Sequence, residues 1–238
     1  MKRVLTTAIG MLALAALPAF GADLPPRMPV KAPAYVTPVW NWTGFYIGVN
    51  GGYGWAQSEH VDAFGATTGL FNQRGGLVGG TLGYNLQSGP AVFGLEADLD
   101  WARINGSTAI CPFGNCFTEM RSFGTVRGRL GYAAGMWMPF ITGGLAVADI
   151  HAGQDAFGGA AADQWRVGWT IGGGVEAMFA PGWSAKLEYL YADFGSSSNT
   201  GYTPVGSGVP FTASERSANM VRAGINYHFG EGPVVARY

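Results

Sequence analysis

Ten charged residues fall on one parity of otherwise apolar stretches, and their chemistry is the first thing this sequence asks to have explained. Glu96, Asp98, Asp100, Glu176 and Glu188 supply the acids; Arg127, Arg129, Arg166, Lys186 and Arg222 supply the bases. Around an aqueous passage such groups would form a constriction that selects ions. Inside a narrow, low-dielectric interior they would pair with one another, because a buried charge must be compensated. Equal numbers of the two signs favour pairing over selection. Glu96 with Arg127 and Arg129, on consecutive segments, is the expected contact.

Hydrolytic chemistry would need a nucleophile, a base and an orienting acid. The bases on offer are His60, His151 and His228. Only His60 and His151 fall where they could share one rim, with Glu59, Asp149 and Asp155 near them in sequence. Their spacing matches no catalytic or zinc motif, so no catalytic, metal or cofactor site is expected. Cys111 and Cys116 are the two cysteines, separated by four residues. In an exported chain such a pair favours a disulfide, which here would stiffen the tip of a hairpin. Gly172-Gly173-Gly174 has no following helix or Lys and is no phosphate loop; glycine within a strand makes room for bulky neighbouring side chains.

The elements carrying these residues read as strands. From Gly44 onward apolar residues recur with a period of two. Phe45, Ile47 and Val49 oppose Tyr46, Gly48 and Asn50, and Val78, Leu82 and Tyr84 oppose Thr81 and Asn85. Phe93, Leu95, Leu99 and Trp101 alternate with Glu96, Asp98 and Asp100; Val126, Leu130 and Tyr132 alternate with Thr125, Arg127 and Arg129. A fifth segment, Pro139 to Ile150, is apolar on both parities, and its facing is not legible. The last three set Trp165, Val167 and Trp169 against Arg166 and Thr170, Leu187 and Tyr189 against Lys186 and Glu188, and Val221, Ile225 and Tyr227 against Arg222, Asn226 and His228.

Eight segments result, joined alternately by short Gly- or Pro-bearing turns (88–90, 133–137, 180–182) and long polar stretches (56–74, 103–118, 151–164, 193–217). That alternation marks an eight-stranded antiparallel transmembrane β-barrel, with short periplasmic turns and four long extracellular loops. Hydrocarbon offers no partner to a free strand edge, so the sheet must close. Charged residues are 12% of the chain, about half the share in soluble domains. That is too few to coat a soluble barrel, which would carry its charges outside and its apolar residues within. Aromatic residues near the segment ends fit girdles at the two membrane interfaces.

Ahead of the barrel, Lys2 and Arg3 precede a mostly apolar run from Val4 to Leu17, closed by Pro18-Ala19-Phe20-Gly21. This reads as a cleaved signal peptide over 1–21. Residues 22–42, spaced by Pro25, Pro26, Pro29, Pro33 and Pro38, read as an extended periplasmic linker. The barrel then spans 43–229, and 230–238 form a C-terminal extension. A net charge of −1 argues against nucleic acid as a partner.

Gly44-Phe45-Tyr46-Ile47-Gly48, Phe93-Gly94-Leu95-Glu96-Ala97-Asp98, Val126-Arg127-Gly128-Arg129-Leu130-Gly131-Tyr132 and Val221-Arg222-Ala223-Gly224-Ile225-Asn226-Tyr227 together resemble small outer-membrane barrels of the porin/opacity type, in the alpha-proteobacterial branch of surface antigens. The resemblance implies an outer-membrane location and a porin-like eight-stranded barrel without established chemistry. It also implies outer-membrane lipid, lipopolysaccharide and the barrel-assembly machinery as partners. In such proteins a terminal aromatic residue is read by that machinery. Nine residues follow Phe229 here, so either Phe229 or the terminal Tyr238 takes that part, and Phe229 is the favoured barrel-end aromatic. The function expected is a structural and surface-display role in the envelope. The alternatives are a narrow porin for ions or very small solutes and a loop-based receptor or adhesin, whose ligand the sequence does not name.

Overall fold

The computed structural model describes residues 40–229 apart from 63, 66, 112–113, 155–159, 196–198 and 203–210. The signal peptide, most of the linker and the C-terminal extension lie outside the described residues.

Alternation of lipid-facing and lumen-facing side chains builds eight long strands: β1 (Gly44–Asp62), β2 (Phe71–Ser88), β3 (Ala91–Cys111), β4 (Gly114–Tyr132), β5 (Trp137–Gln154), β6 (Ala160–Ala180), β7 (Trp183–Asp193) and β9 (Phe211–His228). A short β8 (Asn199–Tyr202) pairs only with β9. Each long strand is antiparallel to its neighbours in the order β1-β2-β3-β4-β5-β6-β7-β9, and β9 pairs back onto β1. The ring is therefore closed, and no helix occurs among the described residues. Phe229 extends the closing seam, donating its backbone N–H to the Phe45 carbonyl at 2.8 Å.

The outward face carries the apolar residues that the sequence assigned to it. Ile47, Leu82, Leu95, Val126, Val167 and Leu187 are all exposed, as a lipid-facing wall must be. Strand five now has a facing: Ile141 and Leu145 point outward, whereas Phe140, Thr142, Ala146 and Ala148 are buried.

Two boundaries differ from expectation. Among the described residues, the four stretches read as long loops are largely strand. β3 and β4 run to Cys111 and from Gly114, so nearly all of 103–118 is paired, and β5 and β6 run to Gln154 and from Ala160. Beyond the hydrocarbon, outward positions no longer have to be apolar. The period-two signal then fades while the hydrogen-bonded ladder continues. The second difference is at the linker. Trp42 is fully buried and packs with Val92, Met138 and Met178, with Trp40 against the same cluster. Its backbone N–H donates to Gln87 Oε1 at 2.8 Å. The end of the linker thus fills the periplasmic mouth of the barrel, because an eight-stranded ring leaves an apolar pocket there that a large ring can occupy.

Candidate functional site: a charged layer across the lumen

Lumen side chains are stacked in three layers. At the periplasmic end is the Trp42 cluster. At the extracellular end Ala56, Leu77, Ile104, Met120, Phe123, Ile150, Leu190 and Met220 form a second apolar cluster. Between them lie the charges, whose positions follow from strand parity: Glu96, Asp98 and Asp100 from β3, Arg127 and Arg129 from β4, Glu176 from β6, Lys186 and Glu188 from β7, and Arg222 from β9, all buried. Arg166 of β6 is buried as well.

Arg127 is the hub. Its Nη2 reaches Glu96 Oε1 at 2.5 Å and Asp98 Oδ2 at 2.6 Å, and its Nη1 reaches Glu188 Oε2 at 3.0 Å. Arg222 bonds Asp100 at 2.6 Å, Glu188 at 2.6 Å and Asp98 at 3.2 Å. Lys186 Nζ lies 2.8 Å from Glu96 Oε2 and 3.4 Å from Glu188 Oε1. In a ring of eight, β3 and β7 stand four positions apart, so the Lys186–Glu96 pair spans the full diameter. Glycines allow this filling. A Cβ on Gly52 would meet the Cα of Arg222 at 2.9 Å, and one on Gly174 would meet the Cα of Glu188 at 2.8 Å, closer than real Cβ contacts allow.

The expected Glu96–Arg127 pair is present between directly opposed residues of β3 and β4. Arg129 behaves differently. It lies 3.9 Å from Glu96, while its close ion pair is with Glu176 on β6, and its guanidinium sits 3.9 Å above the Phe140 ring. The long side chain reaches past β5 to β6 and leaves Glu96 to Arg127, Lys186 and Tyr46.

Several neutral groups that the charge pattern did not single out complete the layer. The Tyr46 hydroxyl donates to Glu96 Oε2 at 2.8 Å, Thr81 and Thr125 donate to the two oxygens of Asp98 at 2.8 and 2.7 Å, and Asn226 donates to Glu176 at 2.7 Å. Their inward parity was the signal; their role as bond-makers was not readable from type alone.

Two arrangements invite a chemical reading, and neither sustains it. Carboxylate oxygens of Glu96, Asp98 and Glu188 lie close enough to hold a cation. Arg127, Arg222 and Lys186 already occupy that space as the countercharges. Ser184 Oγ lies 2.9 Å from His228 Nε2, with Glu176 beside both. In a hydrolytic triad the acid would orient the other ring nitrogen, whereas here Glu176 meets the same Nε2 as the serine. All three are buried, and the Trp42 and His228 rings stack edge to face with their centroids 5.8 Å apart.

His60 and His151 do not share a site. His60 points into the lumen and meets Thr118 Oγ1 of β4 at 2.8 Å. Its burial, away from water, pulls its pKa down to about 4. His151 faces outward, bonded to Asp163 and 5.6 Å from the Phe117 ring. The wall of the barrel separates them. Cys116 is buried on β4; the expected bridge to Cys111 falls on a side chain outside the described residues.

A closed antiparallel ring, apolar outside and charged within, defines an integral outer-membrane barrel. Residues 10–229 match the family model described as "Outer membrane protein beta-barrel domain", and the chain belongs to that family. It is 33% identical to the 31 kDa outer-membrane immunogenic protein of Brucella melitensis, over 96% of this chain and 100% of the relative. It is 32% identical to a 22 kDa outer membrane protein of Rhizobium leguminosarum, over 68% of this chain and 69% of the relative. OprG of Pseudomonas aeruginosa superposes with a TM-score of 0.49 at 12% identity, over 78% of this chain and 97% of that one. The protein resides in the outer membrane, in the alpha-proteobacterial surface-antigen branch of these barrels.

Proposed function

We propose that the protein is a closed, non-enzymatic barrel, a structural member of the outer membrane that holds extended strand ends above the cell surface and conducts neither ions nor solutes. The observation that carries the reading is the bridge from Lys186 on β7 to Glu96 on β3 at 2.8 Å. A salt bridge across the full diameter leaves no passage at that level, and both side chains are essentially inaccessible to water (1% and 0%). Apolar clusters above and below keep water out, which strengthens each buried bond. Within this reading Phe229 is the aromatic end presented to the assembly machinery, and Cys111 with Cys116 staples the β3–β4 tip.

Electrical recording tests the proposal. Folded protein, identified by its mobility shift on boiling, is inserted into a planar bilayer in 1 M salt, with the salt strength chosen for sensitivity. Silence is expected. Steady resolved openings that alter in Glu96→Gln or Arg127→Met would make the charged layer a selectivity constriction and the protein a porin.

A further inference from the structure

Among the described side chains, the arginines and lysines outside the lumen are three: Arg74 on β2, Arg103 on β3 and Arg121 on β4, all exposed. Scattered surface charges would be distributed around the ring. These sit on three consecutive strands, with Arg103 opposite Gly76, two residues along β2 from Arg74, and beside the β4 irregularity that carries Arg121. Arg103 is the next outward residue beyond Trp101, which is 70% exposed, and Arg74 is paired in register with Trp55. Trp55 and Trp101 belong to the aromatic girdle on the extracellular side, where the hydrocarbon ends and headgroups begin. An outward Arg is costly at mid-membrane and nearly free at the interface, so the trio is placed where charge is tolerated and outer-leaflet headgroups are met.

Arg121 faces outward only because the backbone is altered there. Met120 and Phe123 both point into the lumen, and the register of β4 against β5 shifts between Met120 and Ser122. This β-bulge re-aims the residue; strict alternation from Phe123 would have turned Arg121 inward. Arg121, Arg103, Glu119 and Trp101 then line one shallow cleft with Gly76 and Val78, in which Gly76 contributes no side chain. Arg121 has two weak acidic neighbours, Glu119 at 3.5 Å and Asp163 at 3.4 Å. Arg74 and Arg103 make no hydrogen bond or ion pair among the described residues.

We propose that Arg74, Arg103 and Arg121 form a binding site for the phosphorylated sugar headgroup of lipopolysaccharide, fixing one molecule of the outer leaflet against β2–β4. Guanidinium groups meet phosphate oxygens with two parallel hydrogen bonds, a geometry that lysine lacks, and every base of the trio is arginine. The inner leaflet offers no equivalent, since the described periplasmic half of the wall carries no exposed base. This proposal does not depend on whether the lumen conducts.

The test is native mass spectrometry of the folded protein released from detergent, titrated with bisphosphorylated lipid A, with its dephosphorylated form and with phosphatidylglycerol. Wild-type protein is expected to retain bisphosphorylated lipid A at least ~10-fold more tightly than either comparison lipid. R74Q/R103Q/R121Q is expected to lose that preference while keeping its boiling-sensitive mobility. The dephosphorylated lipid needs no variant and keeps the test decisive if the triple variant folds poorly. Equal retention of the phosphorylated and dephosphorylated lipids by wild type would overturn the site. Equal retention of phosphatidylglycerol would overturn its assignment to the saccharolipid, and unchanged preference in the triple variant would overturn the role of these arginines.

Discussion

Between Glu96 and Arg222 the lumen is filled by ion pairs, whereas a few residues nearer the cell exterior the same barrel is filled by Ile104, Met120, Phe123, Ile150 and Met220. Both regions have to occupy the narrow space inside eight strands, and they do so with opposite chemistry. The apolar cluster is held by contact and exclusion of water, so its energy is divided among many small terms. The charged layer is held by a connected set of partners, in which Arg127 alone serves three carboxylates. Losing one member there leaves the others buried and uncompensated. The contrast predicts that substitutions of similar size will have unequal consequences in the two regions.

The largest effect should come from Arg127→Met, which keeps the bulk and removes the charge. Breaking a buried network from one side costs about 3–5 kcal/mol, to be read as a lowered midpoint in urea unfolding from lipid vesicles. In the apolar region, Ile104→Val removes one methylene and should cost about 0.5–1.5 kcal/mol. If the two variants were equally destabilised, the connected-network account of the charged layer would be lost. An intermediate case is Trp42→Ala at the periplasmic mouth. It should cost about 3 kcal/mol and admit a water-soluble quencher to the Tyr46 region, with unchanged quenching counting against a sealed mouth.

A smaller, pH-dependent effect belongs to His60. Its pKa is lowered by burial to about 4, below the ordinary value near 6.5. The unfolded chain therefore binds the proton that the folded chain refuses. Stability from this group is complete above pH ~6.5 and falls as pH drops toward 4. His60→Gln should flatten the unfolding midpoint between pH 7 and 4.5, and an unaltered slope would show that another group carries it.

The same contrast explains what the sequence made legible. Where one face meets lipid and the other meets a charged lumen, as in Phe93–Trp101 or Leu130 beside Arg129, alternation reveals both the strand and its facing. β5 lines the apolar region with Ala146, Ala148 and Ile150 while showing Ile141 and Leu145 to lipid. Both parities are apolar there, and the facing vanished from the sequence for that reason. Above the membrane the reverse holds. Thr118 and Gln154 are buried although polar, so strands that continue well past the bilayer read as loops. The lumen charges were recognisable from parity, yet Arg129 paired with Glu176 rather than mainly with Glu96. Long side chains inside a lumen choose partners by reach past the neighbouring strand, which the order of strands in the sequence does not encode. The Trp42 plug was hidden among prolines whose spacing suggested only an extended chain.

The central claim is that Lys186 and Glu96 bridge opposite sides of the barrel, and a double-mutant cycle of Lys186→Met and Glu96→Gln measures that contact most directly. Unfolding free energies of the four proteins in lipid vesicles should give a coupling of about 1–3 kcal/mol, within the range for residues sharing one network. A coupling indistinguishable from zero would mean that the two side chains do not meet, and the lumen would have to be regarded as open at its middle.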